Sequence, residues 1–170
     1  MLCILEINTG GFYHATASVL DLFDNVQESF LGQLGLTRRQ TFLEYNLAPL
    51  SVRRDIAMLG LIFRCVTGRA HPDLAALFEP AAPTPHPYDT RRAANQHNRQ
   101  LREDRLGTHP AMLQRSVFVI IRVWNRLTDD AVQSTSASAS QRNLTETVRE
   151  KWRAENDDWH QIFSPRRFIL

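Results

Sequence analysis

Apolar residues recur at helical steps along several stretches, and residues that stop helices close most of them. From Ser18, the residues Val19, Leu22, Phe23, Val26, Phe30 and Leu34 follow one another at steps of one, three and four, with Asp21, Asp24, Gln27 and Glu28 lying off that line. The spacing predicts one helix whose apolar stripe faces a core. Ser18 can cap its start, and Gly35 can end it in the left-handed conformation. Thr37-Arg38-Arg39-Gln40 has the form of a capping box, which predicts a short helix through Tyr45. The strongest segment is Leu47 to Val66: Pro49 disfavours helical geometry at Ala48, and Ser51 opens a third helix. There Val52, Ile56, Leu59 and Phe63 share one face, while Met58, Leu61 and Ile62 make the later turns apolar nearly all round. Such a helix is central and covered on more than one side. Gly60 in its middle costs up to about 1 kcal/mol against alanine, which a closely crossing helix would offset.

Elsewhere the pattern is shorter. Cys3, Leu5 and Ile7 alternate with polar or differently placed neighbours in a way that allows a short strand, broken by Gly10-Gly11. His71 to Phe78 reads as a small amphipathic turn with Leu74, Leu77 and Phe78 inward. Residues 79–110 hold five of the eight prolines and half the six histidines, and read as an irregular connection. Arg115 to Leu127 has high strand propensity, but Val117, Ile120, Ile121, Trp124 and Leu127 keep helical spacing, and a helix is expected. Thr128-Asp129-Asp130 caps a short helix through Val132, Ser134 to Ser140 is a linker or a frayed helix start, and Leu144, Val148, Trp152, Glu155 and Trp159 mark a last helix ended by Pro165. The expected fold is mainly α: a small irregular helical bundle with a long loop containing proline, arginine and histidine. Its parts are an irregular segment 1–17, a helical subdomain 18–78, the connection 79–110, a second helical part 111–165 packing on the first, and a tail 166–170.

At 170 residues with 43% hydrophobic content, the chain is sized for one compact domain, or for a smaller one with appended segments. Twenty basic residues against 18 acidic ones leave a net charge of +2, which permits a polyanionic partner without demanding one. Nineteen of the 20 basic residues are arginine, Lys151 being the exception, a bias that suits phosphate contacts but can equally reflect nucleotide composition. Cys3 and Cys65 have no metal-type spacing and read as two structural thiols in a reducing compartment. The start lacks a basic leader and a cleavage pattern, and no apolar run approaches the roughly 20 residues of a membrane span. An intracellular protein, in cytoplasm or nucleus and not secreted, is therefore expected.

Catalytic patterns are scarce. No His-x-x-x-His or Cys-x-x-Cys pair, phosphate-binding glycine loop or Gly-x-Ser-x-Gly turn is present. His86, His97 and His109 could together hold zinc only without the usual cysteine. Asp129-Asp130 follows a threonine at a helix boundary and Asp157-Asp158 lies on a polar helix side, so both pairs read as dipole-compensating or solvated rather than as magnesium ligands. No catalytic residue, cofactor or metal is assigned. The candidate phosphate contacts are Arg53 and Arg54 at the start of the central helix, and Arg38 and Arg39 one helix earlier; against this stands a solvated first turn with an ion pair to Asp55. Trp124, Trp152 and Trp159 lie on apolar faces and read as core.

Three blocks in order resemble one family. They are Phe12-Tyr13-His14-Ala15 through Leu34-Gly35-Leu36, then Leu47 to Ile62 with Ala48-Pro49-Leu50, then Arg115-Ser116-x-Phe118 with Ile121-Arg122-Val123-Trp124-Asn125-Arg126-Leu127. Together they resemble the region that follows the polymerase domain in reverse transcriptases of non-LTR (LINE-like) retrotransposons. The resemblance implies a helical thumb or connection region that would sit against RNA or DNA template-primer, with the upstream polymerase domain as a further partner. It transfers no catalysis, because the family's aromatic-x-Asp-Asp motif has no matching position. The expectation is a non-catalytic fragment of an RNA-directed DNA polymerase; the alternative is a helical protein–protein interaction module without a nucleic-acid role.

Overall fold

A computed structural model describes residues 9–13, 15–81, 97–103 and 117–154. Among them the chain is mainly helical: α1 (Thr9–Phe12), α2 (Ala17–Gln33), α3 (Arg38–Tyr45), α4 (Leu50–Val66), α5 (Pro72–Ala75), α6 (Val117–Trp124), α7 (Asp129–Val132) and α8 (Ala137–Ala154). No helix of these residues is long and apolar enough to cross a membrane. Cys3, His86, His109, Glu155, Asp157, Asp158, Trp159 and Pro165 lie outside the described residues, as do the expected strand near the start and the tail.

Local chemistry sets the helix ends. Thr16, rather than Ser18, caps α2, its hydroxyl accepting from the Val19 amide at 3.4 Å. At the other end Gly35 takes φ of 67°, with Leu36 N–H donating to the Leu31 carbonyl at 3.0 Å and Gly35 N–H to the Gly32 carbonyl at 3.1 Å. Those two bonds satisfy carbonyls that the helix leaves open. The capping box of α3 forms as expected: Thr37 Oγ1 accepts from Gln40 N at 3.2 Å, and Gln40 Oε1 accepts from Thr37 N at 3.1 Å. Asn46 then turns the chain in the left-handed region, φ 55°.

The centre of the bundle is α4. It contacts α1, α2, α5, α6 and α8, and Leu50, Val52, Ile56, Met58, Leu59, Ile62, Phe63 and Cys65 are all buried on it. Covering it from several sides is what an apolar circumference requires. Along α8, Leu144, Val148 and Trp152 are buried at four-residue steps, and the Trp152 ring meets Phe42 of α3 with centroids 5.1 Å apart. Ser134 to Ser140 is partly helix: α8 begins at Ala137, Ser136 Oγ accepts from Ala139 N at 3.1 Å, and buried Ser140 donates to the Ala131 carbonyl at 2.8 Å. Gly60 faces α8 as anticipated. A Cβ there would lie 2.3 Å from Gln141 Nε2.

The described part of the connection is held to the core. Pro80 and Leu101 form an antiparallel bridge, and Trp124 Nε1 donates to the Arg99 carbonyl at 2.8 Å. Asn125 accepts from Leu101 N through Oδ1 and donates to Leu101 O through Nδ2, both at 2.8 Å. Buried His97 donates from Nε2 to the Trp124 carbonyl at 2.9 Å and accepts the Arg99 amide on Nδ1 at 3.2 Å. A carbonyl can only accept, so the proton sits on Nε2. Both ring nitrogens are thus used inside the fold, leaving none for zinc.

Two expectations about inward faces are corrected. Of the expected inward line, Val19, Leu22, Val26, Phe30 and Leu34 are exposed, at 41, 65, 38, 44 and 55%, and Phe23 is half-buried. Among the described side chains of α2, the buried ones are Leu20, Gln27 and Leu31. Likewise Phe78 is buried after α5, but Leu77 is half exposed.

Candidate functional site

The inward face of α2 explains its orientation. Gln27, 3% exposed, accepts from the Leu50 amide on Oε1 at 2.8 Å and donates from Nε2 to the Ala48 carbonyl at 3.2 Å. No side chain of α4's own flank caps that helix, since Pro49 occupies the cap position, so a residue from α2 supplies the bond that Ser51 was expected to provide. One turn earlier on α2, Asp24 holds Arg54 through two parallel bonds, NH1 to Oδ1 at 2.7 Å and NH2 to Oδ2 at 3.0 Å. Arg54 is 6% exposed overall. Turning α2 to bring its apolar stripe inward would strand a buried guanidinium and an open helix terminus, each costing more than the exposure of scattered apolar groups.

The four arginines singled out in the sequence are therefore not equivalent. Arg54 is committed to Asp24, and the ion pair expected with neighbouring Asp55 does not involve it; Asp55 accepts from the Tyr13 hydroxyl at 2.9 Å. Arg38 is exposed and pairs with Glu28 of α2. Arg39 is half-buried on α3. Arg53, one residue and about 100° around the helix from Arg54, lines an open cleft of about 440 Å³ with Thr9, Asn46, Ala57, Gln141 and Thr145. Arg54 is thus taken up by Asp24, while Arg53 lines the cleft.

Other reactive groups are buried or solvated. The Cys65 thiol is free and buried, and burial pushes its pKa above the ordinary 9.0, with the Arg64 charge and a backbone hydrogen bond pulling back. Asp129 and Asp130 are both exposed at the start of α7. Among the described residues no group of three histidine, cysteine or acidic side chains could hold a metal ion.

The remaining feature is the outer face of α2. Its five exposed apolar residues lie within an arc of about 120°, at 100° per residue, together with half-buried Phe23 and exposed Gln33; Ser18, Asn25 and Ser29 border one edge with exposed, uncharged side chains, and buried Gln27 and Leu20 adjoin the other. Asp21, Asp24 and Glu28 sit around the opposite side. Sequence reasoning found this stripe but assigned it to the core, since nothing local to α2 reveals that Gln27 and Asp24 have partners more than 20 residues away.

Comparison with known proteins gives no relative: no family model matches the chain, and no curated protein or solved structure is detectably similar to it.

Proposed function

We propose that this protein is a helical protein–protein interaction module that docks through the outer face of α2. The observation behind the reading is the continuous line of five large apolar side chains left in solvent on a helix whose other side is held by specific polar bonds. Scattered exposed apolar residues need no explanation, but an aligned set with an uncharged border marks a contact surface. The test is the double replacement Leu22→Glu with Phe30→Glu, studied at about 1 µM, well below the concentrations at which weak self-association operates. The unfolding temperature should stay unchanged, while binding of a hydrophobic fluorescent dye falls. Unfolding of the variant would mean that the stripe is core; undiminished dye binding would mean that the face is not the accessible apolar surface.

A second reading is a reverse-transcriptase thumb or connection fragment. It is supported by the three ordered sequence blocks and by Arg53 in a cleft with the polar side chains of Asn46, Gln141 and Thr145. In that reading, Arg53, with Arg38 and Arg39, meets phosphates, Arg54 is a scaffold residue, and the α2 face seats the polymerase domain. Binding to an RNA–DNA hybrid should then weaken with salt, and Arg53→Ala should lower the log–log slope by about one. Primer extension with magnesium should give no product. Absence of salt-dependent binding, or template-directed synthesis, removes this reading.

A further inference from the structure

We propose that the occupant of the α2 outer face is a second copy of this chain, packed antiparallel about a two-fold axis at Val26. The inference rests on the reading of this face as a docking surface.

The first argument is self-complementarity. Leu22 and Phe30 lie four residues to either side of Val26, and Val19 and Leu34 lie seven and eight residues away. Reversing the helix about Val26 therefore superimposes the stripe on itself. Leu22 of one copy meets Phe30 of the other, twice; Val19 approaches Leu34, and the smaller Val26 faces its own copy where the backbones are nearest. A patch that maps onto itself under a two-fold rotation is what an isologous contact needs.

Charge is the second argument. All of the ionisable residues of α2 are acidic: Asp21, Asp24 and Glu28. A seam containing them would repel its copy. Instead they lie away from the stripe, and two of the three are neutralised within the same chain, Asp24 by Arg54 and Glu28 by Arg38. Ser18, Asn25 and Ser29 along one edge of the seam, and Gln33 within it, present no like charge to the copy. Antiparallel packing also sets the positive end of each helix dipole beside the negative end of the other.

Area is the third. Five side chains of this size and exposure present on the order of 400 Å² of apolar surface. Adding the polar border brings the patch near the roughly 600 Å² per partner at the lower end of specific interfaces. The expected complex is a modest, reversible dimer.

Sedimentation equilibrium of the full chain from about 1 to 200 µM should show a concentration-dependent dimer, and Leu22→Glu with Phe30→Glu should raise its Kd by at least about 100-fold without altering the circular dichroism spectrum. On a Cys3→Ser background, Val26→Cys should form an intermolecular disulfide under mild oxidation. Leu22→Cys alone should not, whereas Leu22→Cys mixed with Phe30→Cys should. Cross-linking of every position to itself indicates a parallel pair and overturns the arrangement. A monomer throughout the range overturns the second-copy proposal. If that monomer still binds dye in a Leu22- and Phe30-dependent way, the docking reading survives and another protein is the occupant; if it does not, both fall and the chain covers the face itself.

Discussion

Arg54 shows how a charged side chain can be a structural element, held by Asp24 through two bonds. Removing one member of a buried pair costs about 3–5 kcal/mol, but Asp24 keeps 27% of its side chain in water. Arg54→Ala should therefore cost about 2 kcal/mol in urea denaturation, and Arg54→Met with Asp24→Leu should recover most of it. Cys65 supplies a pH dependence. Its folded pKa lies above the ordinary 9.0, so the fold favours the neutral thiol. That contribution is fully present below about pH 9 and is lost as pH rises through the folded pKa. Stability of the wild type should fall faster with alkaline pH than that of Cys65→Ala, as followed by thermal unfolding. At pH 8 the folded thiol should react with an aromatic disulfide reagent far more slowly than the denatured chain.

The limits of α3 and the end of α2 were legible from local signals because local atoms set them, whereas the start of α4 was not, its cap coming from Gln27 of α2. Thr37 and Gln40 bond each other's backbone, and Gly35 accepts a conformation that other residues resist. The centrality of α4 was legible too, since only a helix covered on several sides tolerates so complete an apolar surface. The direction in which α2 faces was not. Its apolar residues are spread over about half its circumference, from exposed Leu22 at one edge to buried Leu31 at the other, and partners on α4 choose which part is covered. For Gly60 the close crossing was legible but not the residue that makes it, Gln141, 81 positions away in sequence. Gly60→Ala gains up to about 1 kcal/mol of helix propensity but drives Gln141 from its place. Gln141→Ala should therefore make Gly60→Ala more favourable than it is alone, and chemical denaturation of the four variants should show a coupling of about 1 kcal/mol.

Across the chain, what reads as an irregular connection includes a fastened segment. Residues 97–103 hold to the end of α6 through His97, Trp124 and Asn125, polar groups whose pairing no periodicity encodes. Asn125→Ala removes both bonds to the Leu101 backbone and the one to Glu103. Hydrogen exchange should then show the Leu101 amide losing protection by about 10- to 100-fold, while amides in the middle of α4 change little. Gln27 carries a different consequence, for how the chain acquires its shape. Its bond to the Leu50 amide supplies, across 23 residues of sequence, a partner for a first-turn N–H that α4 itself leaves open. Nucleation is the costly step of helix formation. Here the first turn closes locally, through the Arg53 N–H and the Pro49 carbonyl at 3.1 Å, and docking against α2 then secures it.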